Sequence, residues 1–187
     1  MAAPLERGAA RGAGQLARRM LRASLLRSDL YEEVEADRGA TRQAFAVVVL
    51  AAVATGVGAV DNSGAAGILW HTLVDVAGWY AWAWTTCLIG TRLLPTSETR
   101  ADLGELLRTL GFASAPGVLR IGALLDEAAF ALFTLCTLWM LVAMVVAVRQ
   151  ALDYRSTARA LAVCGIGLPV YVLPQMLSVL VLGPWPL

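Results

Sequence analysis

The sequence predicts an all-α fold: a polytopic membrane bundle of five spans with an amphipathic, short helical region before it. Composition is the first reason, since 58% of the 187 residues are hydrophobic, only 16% are charged and the mean hydropathy is +0.66. An ordinary soluble domain carries roughly a quarter charged residues. The second is that the apolar residues gather into long uncharged runs, the pattern of membrane helices. The third is the placement of the cations: all fifteen are arginines, eight before the first apolar run and the rest at or near the breaks between runs.

Residues 1–15, rich in Ala, Gly and Arg, show no sustained periodicity and are expected to be disordered. Residues 16–42 form the cytoplasmic or interfacial region. From Gln15 to Leu30, Leu16, Met20 and Leu21 gather towards one side of a helical projection, with Arg18, Arg19 and Arg22 on the other. Such a helix lies at a membrane surface, arginines towards anionic headgroups and leucines in the acyl boundary. Ser28 and Asp29 then suit the cap of a short acidic helix that ends before Asp37 and Gly39. The lead of some forty residues is far longer than the basic region of a cleavable signal, so it is expected to stay in the mature protein.

The spans are read at about residues 44–60, 67–90, 103–125, 128–148 and 160–183, within a membrane domain of residues 43–187. Ala44 to Val60 supplies seventeen uncharged residues, about the minimum for a crossing at ~1.5 Å per residue, and Asp61–Gly64 turns the chain. In the second span Trp70 fits an interfacial belt, while Trp79, Tyr80, Trp82 and Trp84 lie too deep to anchor together and read as packing surface. The third is irregular. Eleven uncharged residues between Arg108 and Arg120 span only ~16 Å as α-helix, so a crossing asks both arginines to snorkel towards opposite interfaces, with a break at Pro116. Asp126 and Glu127 form a turn before the fourth span. The fifth contains Pro169 and Pro174, which should bend it and free carbonyls for neighbouring helices to satisfy.

Arginine counts set the orientation. Eight precede the first span, Arg92, Arg100 and Arg108 follow the second, and Arg149, Arg155 and Arg159 follow the fourth, against Arg120 alone on the other side. The amino terminus is therefore expected in the cytoplasm and the carboxyl tail Gly183–Leu187 outside. A four-span alternative, with Asp102–Leu125 on the surface, would place three arginines on the wrong side.

The chemical signals are sparse. Cys87, Cys136 and Cys164 lie in separate apolar runs and there is one histidine, so neither a disulfide framework nor a metal site is expected, and no cofactor. No GxSxG or HExxH is present, and no enzyme is predicted. His71 and Asp75, four residues apart, share one face of the second span. An ionised Asp near the centre of a span costs roughly 2.5 to 3.5 kcal/mol, so Asp75 must be protonated, paired or open to a water-filled cavity. Either the pair forms a proton or cation site, or Asp75 makes a structural hydrogen bond to His71, Thr72, Thr134, Thr137 or Ser178. Gln175 is the other deep polar residue. Small residues, Gly78, Ala81, Ala83, Gly90, Gly165 and Gly167, permit close helix approach.

The stretch Leu107-Arg-Thr-Leu-Gly-Phe-Ala-Ser-Ala-Pro-Gly-Val-Leu119, the segment Val146-Ala-Val-Arg-Gln-Ala-Leu-Asp-Tyr154 and the motif Asp29-Leu-Tyr-Glu-Glu-Val34 resemble the bacterial members of the Yip family of Ypt- or Rab-interacting membrane proteins. The resemblance runs over roughly residues 17 to 183. It implies five helices, a cytoplasmic amino terminus and the bacterial inner membrane, with Gly111, Phe112, Pro116 and Gly117 as a family motif at a helix break. It supplies no catalytic residue. The expected function is a non-enzymatic inner-membrane protein acting through membrane lipids, a membrane-protein partner or a second copy of itself, without nucleic acid. The alternative is a small transporter or channel subunit using His71 and Asp75, since discontinuous helices often line binding sites.

Overall fold

The computed structural model describes residues 4–58, 64–124 and 129–182, and all regular structure among them is helical. Helix α1 (Pro4–Ser24) is followed by α2 (Ser28–Ala36), α3 (Ala40–Gly58) and α4 (Gly64–Leu88), which unwinds through a π turn over Ile89–Leu93. Helix α5 (Leu103–Ala113) passes into a 3-10 segment (Ala115–Leu124), and α6 (Ala129–Ala151) and α7 (Thr157–Leu182) complete the chain. The turns expected at Asp61–Ser63 and at Asp126 and Glu127, and the tail Gly183–Leu187, lie outside the described residues. Three helices are long and apolar enough to cross a membrane, over Ala40–Val57, Ala129–Ala151 and Thr157–Pro174.

The segment of α5 and the 3-10 turns runs through the middle of the bundle, against α3 on one side and α6 on the other. Close packing is achieved by removing side chains: a Cβ on Gly111 would stand 2.8 Å from Cβ of Ala44 on α3, and one on Gly117 would stand 2.8 Å from Sδ of Met140 on α6. Phe112 is fully buried between them. Pro116 cannot donate to the preceding turn, and the chain answers by tightening from α to 3-10 geometry directly before it. A 3-10 turn rises ~2 Å per residue against ~1.5 Å for an α-helix, so the twenty-two residues from Leu103 to Leu124 extend over roughly 36 Å. Between Arg108 and Arg120 the stretching adds only about 3 Å.

The amino-terminal region differs from its expected form. Residues 4–15 are helical and continuous with the expected amphipathic stretch, but that stretch ends at Ser24 instead of Leu30. Leu26 takes a positive φ of 57° and turns the chain into α2. Neither Ser28 nor Asp29 caps α2; Arg27 is the cap residue and makes no side-chain capping bond, because the Asp29 carboxylate is held by Arg22 and Arg27. Helix α2 buries Leu30, Tyr31 and Val34 against α5 and α6. The third segment begins with a full capping box, Asp102 accepting from the Glu105 amide and Glu105 accepting from the Asp102 amide.

The aromatics of α4 divide. Trp79 and Trp82 are buried, whereas Tyr80 and Trp84 stand more than half exposed and face outwards, not into helix packing. Helix α7 continues through Pro169 and Pro174 without interruption. Its inner face rests on α4, where Gly78 faces the ring of Tyr171 and Gly167 faces Nε1 of Trp82; Gly90 faces Leu152, and Gly165 has nothing within 4 Å. Gly78, Gly90 and Gly167 thus allow close approach, and Gly165 points away.

Candidate functional site

Positions Gly117, Arg120 and Ala123 are buried, while Leu119 and Ile121 between them are exposed. That spacing of three is the eclipsed register of a 3-10 segment, and it turns Arg120 into the bundle. The guanidinium is 6% exposed. Its Nη1 donates to Oγ1 of Thr55 on α3 at 3.0 Å and its Nη2 to Oγ1 of Thr137 on α6 at 2.7 Å. Both hydroxyls pass their own protons back to their helices, Thr55 to Ala51 O and Thr137 to Phe133 O, and so are fixed as acceptors. The ring of Phe133 lies 4.3 Å from the guanidinium carbon, a cation–π contact. Arg120 therefore does not snorkel to an interface, because hydroxyls from two neighbouring helices meet it inside.

On α4, Asp75, Trp79, Trp82 and Thr86 recur at intervals of three and four and share one face. Asp75 and Arg120 line the same cavity, together with Thr55, Ser114, Trp79, Trp82 and Tyr171. Its volume is about 20 Å³. A water needs roughly 10 to 15 Å³ of such space, so the cavity holds a species of one or two heavy atoms and not an organic substrate. Three buried N–H groups of its lining residues, Arg120 Nε, Trp79 Nε1 and Trp82 Nε1, have no hydrogen-bond partner within the protein. Of these, Trp82 Nε1 faces Gly167 on α7; the cavity itself is lined by one carboxylate and one guanidinium side chain, Asp75 and Arg120.

Asp75 lines the cavity, and His71 lies half-buried one turn nearer the start of α4. Of the hydroxyls considered for Asp75, Thr72 donates to Ile68 O and Thr137 serves Arg120. The side chains of Gln175 and Ser178 lie outside the description. Gly111, Phe112, Pro116 and Gly117 shape the path of the segment that carries Arg120 and do not themselves hold a ligand. Among the described residues no cluster of three metal-ligating side chains occurs.

A second charged region lies at the end of the bundle bearing the Arg92–Arg100 and Arg149–Arg159 loops. Arg19 of α1 is buried and donates to Glu33, Asp37 and Gln43, and Arg22 donates to Glu33 and Asp29. These arginines are taken by α2 and the start of α3 instead of facing headgroups, because α1 folds back along α2 and presents them to its carboxylates. Trp139 of α6 fixes the end of α1 by donating to Ser24 O at 2.8 Å. Arg108, also 6% exposed, does not snorkel either: it donates to the carbonyls of Val34 and Glu35 at the end of α2. Those carbonyls lack helical partners and carry the negative end of the helix dipole.

The acids of this region are shifted in opposite directions. The hydrogen bond from Arg27 holds Asp29 below the usual carboxylate range, and that from Arg19 does the same for Asp37. For Glu33 burial pulls upwards, but hydrogen bonds from Arg22 and Arg19 outweigh it. Glu35 is pushed up to about 7 by burial and then by the nearby Glu105 and Asp153 carboxylates, with Arg108 opposing.

Sequence reasoning missed Arg120 as the charge that shares the cavity with Asp75, and Arg19 as the centre of an ion network. Arg120 carried a signal, being the one arginine outside the three blocks. No family model, curated protein or solved structure matches the chain.

Proposed function

We propose that the chain is a five-span, Yip-like protein of the bacterial inner membrane, amino terminus in the cytoplasm, that works without catalytic chemistry through contacts with lipid or a protein partner in the bilayer. Three described helices have the length and apolarity to cross. Helix α4 is twenty-five residues long, and the stretched third segment, at roughly 36 Å, exceeds the ~30 Å hydrocarbon core. The arginine distribution supports the orientation.

The observation that supports this reading is the set of apolar faces turned outwards on α4, α6 and α7, where Leu69, Leu73, Phe130, Leu138, Leu173 and Leu180 are each more than half exposed, beside an inter-helical cavity of only about 20 Å³. Such faces suit acyl chains or another membrane helix. Co-purification from membranes in mild detergent, paired with a flux assay in liposomes, tests this. A stable membrane-protein partner or oligomer without flux is the expected result; flux through the purified protein alone overturns it.

The second reading, a small transporter or channel subunit, is favoured by one observation: Asp75 and Arg120 from different segments line the same small cavity. It requires flux that Asp75→Asn abolishes.

A further inference from the structure

We infer that Arg18, Arg38 and Arg42, gathered where α1 meets the start of α3, form a docking site for the headgroup of an anionic phospholipid whose acyl chain lies along the outward face of α3. The inference rests on the first reading above, contact with lipid, and names the lipid class and its place.

The carboxylates of this junction are already met by other arginines. Glu33 accepts from Arg19 and Arg22, Asp37 from Arg19, and Asp29 from Arg22 and Arg27. By donating to Asp37 and Gln43, Arg19 pins the turn before α3 and the first turn of α3 against α1. Each of those three residues has an arginine beside it in the chain: Arg18 next to Arg19, Arg38 next to Asp37, Arg42 next to Gln43. All three are exposed, and none has a carboxylate partner among the described residues. The backbone around Arg38 is held, since the Gly39 amide donates to Asp37 Oδ1 and Thr41 Oγ1 donates to Arg38 O. Positive charge from α1, from the turn and from α3 is thus brought to one place and left uncompensated.

Beside the charges the surface is apolar. Leu21, one turn along α1 from Arg18, and Phe45, one turn along α3 from Arg42, are both exposed. From Arg42 the stripe continues at helical spacing through Val49, partly buried, to Val53, exposed. A phosphodiester accepts hydrogen bonds and carries negative charge, which guanidinium groups match, while hydrocarbon matches the stripe. An anionic lipid meets both features; a soluble phosphate or an acidic protein segment meets the first alone. With α3 read as the first span, the arginines stand at the headgroups of the cytoplasmic leaflet and the stripe descends into the acyl layer.

The test uses the full chain in mild non-ionic detergent, titrated with phosphatidylglycerol or with phosphatidylcholine. Thermal midpoint and the lipid retained in native mass spectrometry are read. The expected result is a saturable rise in midpoint and retained lipid with phosphatidylglycerol alone, both weakened by salt. Each arginine removed should weaken binding about fivefold, so Arg38→Gln with Arg42→Gln should weaken it about twenty-five-fold. Arg92→Gln with Arg100→Gln, an equal loss of exposed charge from the loop after α4, should leave it unchanged. All four arginines are exposed, so both variants keep the fold. Phe45→Ala should weaken retention without altering its salt dependence. Equal retention of the two lipids, or equal loss in the two double variants, overturns the site, while co-purification and flux decide the first reading separately. A rise in midpoint with glycerol phosphate or poly-glutamate that matches the lipid overturns the lipid as occupant, in favour of a soluble phosphate or an acidic protein respectively.

Discussion

Arg108 and Arg120 stand twelve residues apart in one segment and are equally buried, yet the protein compensates them by different means. Arg108 meets two carbonyls at the carboxyl end of α2, which have lone pairs to spare and a dipole aligned to receive a cation. Arg120 meets two threonine hydroxyls and an aromatic face, with Asp75 across a small cavity. The first arrangement ties α5 to the end of α2. The second ties the 3-10 segment to α3 and α6 and leaves Nε without a partner in the protein. The difference teaches that two equally buried cations in one segment are held by unlike chemistry, backbone carbonyls in one case and side-chain hydroxyls in the other.

The strongest way to break the comparison is to deprive each arginine of its setting. Arg120→Ala should lower stability by on the order of 3 kcal/mol, because it empties the centre, leaves Thr55 and Thr137 without their donor and removes the guanidinium from the cavity that Asp75 also lines, and the loss is read as a fall in thermal midpoint in detergent. Pairing it with Asp75→Asn should recover part of that fall, as in a double-mutant cycle. Arg108→Ala should cost about 2 kcal/mol by leaving the Val34 and Glu35 carbonyls unserved, with no recovery from Asp75→Asn. Equal recovery in both backgrounds would show that the two arginines are not compensated differently.

Arg19→Ala should cost about 1 to 2 kcal/mol and act locally, raising amide exchange in α1 and α2 while α3 to α7 stay protected. Acid and base should loosen this region for opposite reasons. The lowered values of Asp29, Glu33 and Asp37 mean that their contribution is present near neutral pH and is lost as pH falls through the acidic range. Glu35, raised to about 7, contributes in the other sense: its protonated form suits the fold, so docking of α2 weakens as pH rises from about 4.3, the value for an unstructured chain, to about 7. Exchange rates in α2 measured between pH 5 and pH 8 should show that loss, and Glu35→Gln should remove it. The smallest effect belongs to Gly165→Ala, whose Cβ would meet nothing within 4 Å; it should change the thermal midpoint little or raise it slightly.

Much of the helical organisation was legible. The apolar runs read at 44–60, 67–90, 103–125, 128–148 and 160–183 fall on α3, α4, the α5 and 3-10 segment, α6 and α7, since long apolar runs bounded by turn residues favour continuous helix. The break at Pro116 was legible too, being a local matter of hydrogen bonds a few residues apart. The fates of the arginines were not. Snorkelling was expected of Arg108 and Arg120 because their hydroxyl and carbonyl partners lie between 17 and 74 residues away in the chain. Likewise Arg19 finds Glu33 and Asp37 only because Leu26 turns the chain back at positive φ.

By itself the sequence determined where helices form and where they must tighten or end, because apolarity, proline and capping groups act over a turn or two. It also placed Asp75 on one face of α4 with His71, four residues away. Only the tertiary structure decided which charge shares the cavity with Asp75, which glycines let helices touch and which glycine faces outwards. Those outcomes depend on packing between segments far apart in the chain, where a fraction of an ångström at Gly111 or Gly117 fixes how close Arg120 comes to α3 and α6.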